Sequence, residues 1–102
     1  MKTLKIVLDY GSFPIWIYDE KGKFTAARLP DELSEDKQLE SLFRKVQKEF
    51  EAIYVKNEKE FYCKGFPSDK EAKAFHELVK LAVKLLEERC KNRFKVLNDL
   101  DY

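Results

Sequence analysis

The feature that most constrains the fold is the segment from Ser68 to Cys90. Ser68-Asp69-Lys70-Glu71 has the form of a capping box, in which the Ser68 hydroxyl accepts from the Glu71 amide while the Glu71 carboxylate reaches back to the Ser68 amide. Behind it, Phe75, Leu78, Val79, Ala82, Leu85, Leu86 and Cys90 recur at three- and four-residue spacing, and Arg89, Lys91 and Arg93 suit the negative end of a helix dipole. A helix of this length with one apolar stripe has to lay that stripe on something. The rest of the chain must supply the covering layer.

Segments with strand periodicity supply it. Leu4, Ile6 and Leu8 alternate with Lys5, Val7 and Asp9 until Tyr10-Gly11-Ser12 breaks the run. Phe13 to Tyr18 reads FPIWIY, β-branched and aromatic, with Pro14 near its start. Asp19-Glu20-Lys21-Gly22 predicts a hairpin turn with Gly22 in the left-handed conformation, and the chain returns as a third strand over Phe24 to Leu29. Past Pro30, Ser34 is the expected N-cap of a helix whose stripe is Leu39, Leu42, Phe43, Val46 and Phe50, with Glu35 and Asp36 favourable at its positive end. Residues 52–56 and 60–64 predict a second hairpin turning at Asn57-Glu58, with Ile53, Val55, Phe61 and Cys63 directed inward, closed by Gly65-Phe66-Pro67. Phe94, Val96 and Leu97 predict a short closing strand. The expected order is βββ-α-ββ-α-(β), an α+β domain over 1–102 in which two amphipathic helices pack on an antiparallel sheet of about five strands. A chain of 102 residues is long enough for one core.

The usual catalytic and cofactor signatures are missing from the sequence. Its three glycines, Gly11, Gly22 and Gly65, are isolated, so neither a phosphate-binding loop nor a dinucleotide fingerprint can be built. His76, the single histidine, lies one position off the apolar stripe with no nucleophile placed beside it by spacing, and is read as structural or surface. Cys63 and Cys90 are too few for a disulfide framework and show no metal-ligand spacing, which fits a reduced cytoplasmic setting. Clustered carboxylates at Asp31, Glu32, Glu35 and Asp36 suit a helix N-terminus better than a cation loop. The expectation is a protein without enzyme activity, metal or cofactor, and with neither a signal peptide nor a membrane span.

Binding is then the remaining function class. The formal net charge is only +1, yet it is unevenly distributed: residues 31–40 carry five acids against one base, and residues 64–95 carry nine bases against five acids. Such polarity describes either an interaction surface or two solvated helix faces. The bases of the second helix, Lys80, Lys84 and Arg89 among them, with Tyr54 and Tyr62 nearby, outline a nucleic-acid-binding module, although glutamates alternate with those bases. An intracellular adaptor or self-associating protein is a further reading. Trp16 and Tyr18 share one strand face, which is either core or, if no helix covers it, an exposed aromatic patch beside acids such as Asp19, Glu20, Glu58 and Glu60.

The runs KIVLDYGSFPIWIYDEKG, LPDEL and FEAIYVKNEKEFYCKGF, with an amphipathic helix before the last, together resemble small immunity proteins encoded beside bacterial polymorphic or contact-dependent growth-inhibition toxins. The likeness extends from about Lys5 to Phe66, more loosely over the second helix, and its distinctive parts are Asp9-Tyr10-Gly11, Pro14-Ile15-Trp16, Leu29-Pro30 and Lys64-Gly65-Phe66. The resemblance implies a non-enzymatic, cytoplasmic inhibitor that binds the C-terminal domain of its cognate toxin. Such toxins are often nucleases with basic clefts, so an acidic patch would give steering and specificity. Asp31, Glu32, Glu35 and Asp36, joined by Asp19 and Glu20, are the expected partner-binding residues.

Overall fold

The computed structural model describes residues 1–98 and Leu100. Along the chain run β1 (Thr3–Ile6), β2 (Ile15–Tyr18), β3 (Phe24–Ala27), a 3-10 turn (Asp31–Leu33), α1 (Lys37–Glu51), β4 (Tyr54–Lys56), β5 (Phe61–Cys63), α2 (Asp69–Cys90) and β6 (Lys95–Asn98). Ser68 caps α2 as its sequence predicts, its hydroxyl accepting from the Glu71 amide at 3.3 Å. The far end of α2 has no glycine to stop it. Lys91 and Asn92 take the left-handed conformation instead, with φ of 49° and 67°, and turn the chain toward β6.

The sheet departs from the all-antiparallel expectation. Four strands are ordered β3-β2-β1-β6, and β6 runs parallel to β1. A parallel neighbour needs a long crossover, and the whole stretch from β2 to α2 provides one. With β2 and β6 on its two edges, β1 has no edge left for β4 or β5. These short strands pair only with each other, as a separate two-stranded sheet.

The first helix also starts later than expected. Ser34 has helical angles, φ −64° and ψ −23°, because it ends the 3-10 turn, and its hydroxyl donates back to the Asp31 carbonyl at 2.9 Å. Asp36 is the extended residue, and its carboxylate accepts from the Leu39 amide at 3.1 Å, so the N-cap is Asp36.

Burial follows the helix stripes. Leu4, Ile6, Ile15 and Ile17 on one face of the sheet join Leu39, Phe43 and Val46 from α1 and Phe75, Val79, Ala82, Val83, Leu86 and Cys90 from α2 in one continuous cluster. Leu29, Pro30 and Leu33 close its side. In the second hairpin Ile53 and Val55 are half-buried, but Phe61 and Cys63 are exposed, contrary to the inward placement expected of them. Three-residue strands standing apart from the main sheet have no second layer to cover that side. Among the described residues, no helix is long and apolar enough to cross a membrane.

Candidate protein-interaction surfaces

The expected acidic residues fall in two groups on either side of β3 in the chain. Asp19 and Glu20 lie in the turn that enters β3, whereas Asp31, Glu32 and Glu35 follow the exit from it, and β3 spans about 13 Å. Several of these carboxylates are also engaged within the fold. One Asp19 oxygen accepts from the backbone amides of Lys21 and Lys23, each at 2.9 Å, and so shapes the turn. Asp31 pairs with Arg28 at 3.0 Å. Asp36, besides capping α1, accepts from Arg89 Nε at 2.8 Å, and the second arm of that guanidinium reaches Gln38 at 2.8 Å, which ties α1 to the end of α2. Glu20, Glu32 and Glu35 remain exposed.

The sheet has a second face, away from the helices. Since strand side chains alternate, the partners of the buried row on β1 and β2 point outward. Register sets out two cross-strand rows there: Leu97, Lys5, Trp16 and Ala27 in one, and Lys95, Thr3, Tyr18 and Phe24 in the other. Trp16 and Tyr18 therefore lie on the helix-free face, outside the core but half-buried there. The Trp16 indole N–H donates to the Ser12 hydroxyl at 2.9 Å, which fixes the ring.

Phe24 reaches this face through an irregularity. Ile17 is opposite Ala26, but Tyr18 is opposite Phe24, so Thr25 is an extra residue in β3, and its hydroxyl donates to the Ile17 carbonyl at 3.1 Å. In unbroken alternation from Ala27, Phe24 would point toward the core. The bulge turns it outward, where its ring meets Trp16 at 5.4 Å and Tyr18 at 5.9 Å, both edge-on. It stays 48% exposed.

A second aromatic group holds the small hairpin to the body. Tyr10 contacts Tyr54 at 5.6 Å and Phe61 at 5.0 Å, Tyr54 stacks on Phe61 at 5.4 Å, and Phe50 of α1 meets Tyr54 at 5.2 Å. Burial, with Cys63 alongside, raises the Tyr54 phenol above its ordinary pKa. Burial likewise pushes the Cys90 thiol up; Glu87 adds to the rise, and Arg93 opposes it. His76 sits half-buried against Phe75. Among the described residues, no group of three or more His, Cys, Asp or Glu is disposed to hold a metal.

A family model described as Serratia CdiI immunity protein-like matches residues 2–98, which takes in every strand and helix named above. The chain belongs to this family. No curated protein matches it.

Much of what carried the resemblance proves to be architectural. In the Asp9-Tyr10-Gly11 turn of this immunity-like chain, the Gly11 amide donates to Glu51 at 2.7 Å and Gln47 donates to the Asp9 carbonyl at 2.8 Å, so the turn is fastened to α1 while Tyr10 clasps the hairpin. Pro14, Leu29 and Pro30 are buried, and Gly65, at φ 77°, lets Phe66 fold back onto Phe75 at 5.2 Å. Sequence reasoning missed the outward Phe24 and the lysines that share its face. Lys5 was legible by alternation with Leu4 and Ile6. The bulge has no composition signal, and Lys95 joins the face only through the parallel pairing of β6.

Proposed function

We propose that this protein is the immunity partner of a bacterial toxin: it binds the C-terminal domain of its cognate toxin in the cytosol and neutralises it without chemistry of its own. The family match over residues 2–98 carries this reading. Two surfaces support a binding role, an aromatic sheet face left uncovered by the helices and an exposed acidic turn at 31–35. A nuclease is the proposed toxin class. The carboxylates of Glu32 and Glu35 would be drawn to the basic cleft that such an enzyme needs for its substrate.

Co-purification with the toxin domain encoded immediately upstream, followed by a digestion assay on RNA and plasmid DNA, tests both levels. The expected result is a stable complex and loss of digestion at equimolar inhibitor. Failure to form a complex contradicts the immunity role, while a complex with a toxin that digests neither nucleic acid contradicts only the nuclease assignment.

A further inference from the structure

We propose that the outer side of α2 joins two copies of this chain as an antiparallel pair, a reading that stands apart from the immunity role. α2 carries more apolar residues than its buried stripe uses. Leu78 and Leu85 lie half-buried at the margin of that stripe, and Leu81 beyond them is 57% exposed, the one large apolar side chain of either helix left so open among the described residues. Beside it runs a cleft of about 370 Å³, in which Leu81 and Leu85 face Gln38, Ser41, Leu42 and Lys45. Leucines at spacings of three and four make the kind of seam along which helices pair.

The charges around the seam say what covers it. At about 3.6 residues per turn, Lys70, Ala74, Leu81 and Glu88 follow one line down the exposed side of α2, with Glu77 and Lys84 beside it on the edge away from α1. A second copy, antiparallel and related by a two-fold axis level with Val79 and Lys80, complements every one of these positions. Leu78 meets Leu81 and Ala74 meets Leu85, while Lys70 meets Glu88 and Glu77 meets Lys84, and symmetry makes each match twice. A parallel copy would instead set each charge level with its own kind. The other charged groups nearby do not undo the pattern. Glu77 also touches Lys80 of its own helix at 3.6 Å, an exposed contact that leaves its charge in place. Glu71 turns toward α1 and lines a separate cleft with Glu49 and Ala52. Lys45, on the α1 rim, has no acid opposite it in the pair and keeps its ammonium in water, with its stem along the leucines. The seam is short, so the dimer is a weak one. Because it lies on the side of α2 away from the buried stripe, pairing leaves the open face of the sheet uncovered.

Sedimentation of the full chain over about 10 µM to 1 mM tests the proposal. The expected result is a reversible equilibrium between monomer and dimer. Leu81→Glu, at an exposed position, should weaken the dimer about tenfold or more. Glu77→Lys and Lys84→Glu should each weaken it about tenfold as well, since either one sets like charges across the seam twice. Mixed in equal amounts, those two variants should associate with each other as tightly as the unaltered chain does with itself, because each then meets opposite charges on the other. A chain that stays monomeric throughout overturns the proposal, as does a dimer indifferent to Leu81→Glu or a mixture of the two charge variants that does not associate. A monomeric chain whose Leu81→Glu variant loses affinity for the upstream-encoded toxin domain assigns the cleft to the toxin and likewise overturns it. The immunity role is read separately, from complex formation with that domain, and stands or falls without the dimer.

Discussion

The acidic turn and the open sheet face behave in opposite ways. At the turn a dense run of charge is conspicuous in the sequence, yet Asp36 caps a helix and holds Arg89, and Asp31 is paired with Arg28. At the open face the sequence shows no cluster, because Lys5, Trp16, Phe24 and Lys95 come from four strands spread over ninety-one positions, and the fold alone sets them side by side. Acids concentrate where helices begin, since carboxylates satisfy free amides there and favour the dipole. A surface assembled from cross-strand register leaves no such local trace.

The largest effect expected from this contrast falls on binding. Phe24→Ser should cost about 2 kcal/mol or more of toxin affinity, mainly as faster dissociation, while changing stability by less than about 1 kcal/mol, which calorimetry and denaturant titration on the same sample will read. A protein that unfolds instead would place Phe24 in the core's support. Next comes Asp36→Ala, which removes the N-cap of α1 and its link to Arg89. It should lower stability by about 1–2 kcal/mol, whereas Glu35→Ala should stay within about 0.5 kcal/mol. Equal losses at the two positions would erase the distinction between structural and free carboxylates.

A smaller effect is expected from reversing the exposed charges of the turn. Glu32→Lys with Glu35→Lys should slow association by a few-fold at low salt, with the difference vanishing in high salt and dissociation unchanged, as stopped-flow mixing will show. Faster dissociation would move the bound interface to the turn. The smallest concerns the thiols, which repeat the contrast between exposed and engaged groups. Cys63 is exposed and should react promptly with a disulfide reagent in the native protein, and Cys90, buried and held protonated, should react only on unfolding. Because folding raises the Cys90 pKa, the native state keeps a proton that the unfolded chain releases. Its contribution to stability is complete below the ordinary thiol range and declines as pH rises from there through the folded value.

Local rules made much of the fold readable. The Ser68 N-cap, the two helix stripes and the alternation of Leu4 and Ile6 all arise from interactions within a few residues, and each matches the structure. Ser34 misled because a serine before acids satisfies the N-cap pattern equally well, and the 3-10 turn that displaces the cap to Asp36 depends on burying Leu33. The parallel docking of β6 and the isolation of the β4–β5 pair are choices of tertiary partner. Alternation within a strand records which face is apolar, not which edge is occupied. For the same reason Trp16 was legible as sharing a face with Tyr18, but only the placement of both helices on the opposite side identified that face as open.

Growth protection tests the central claim most directly. In cells induced to make the upstream-encoded toxin domain, the unaltered protein and its Glu32→Lys, Glu35→Lys variant should both restore growth, and a Phe24→Ser variant that circular dichroism shows to be folded should not. Full protection by the sheet-face variant, with protection abolished by the turn variant, would contradict the account.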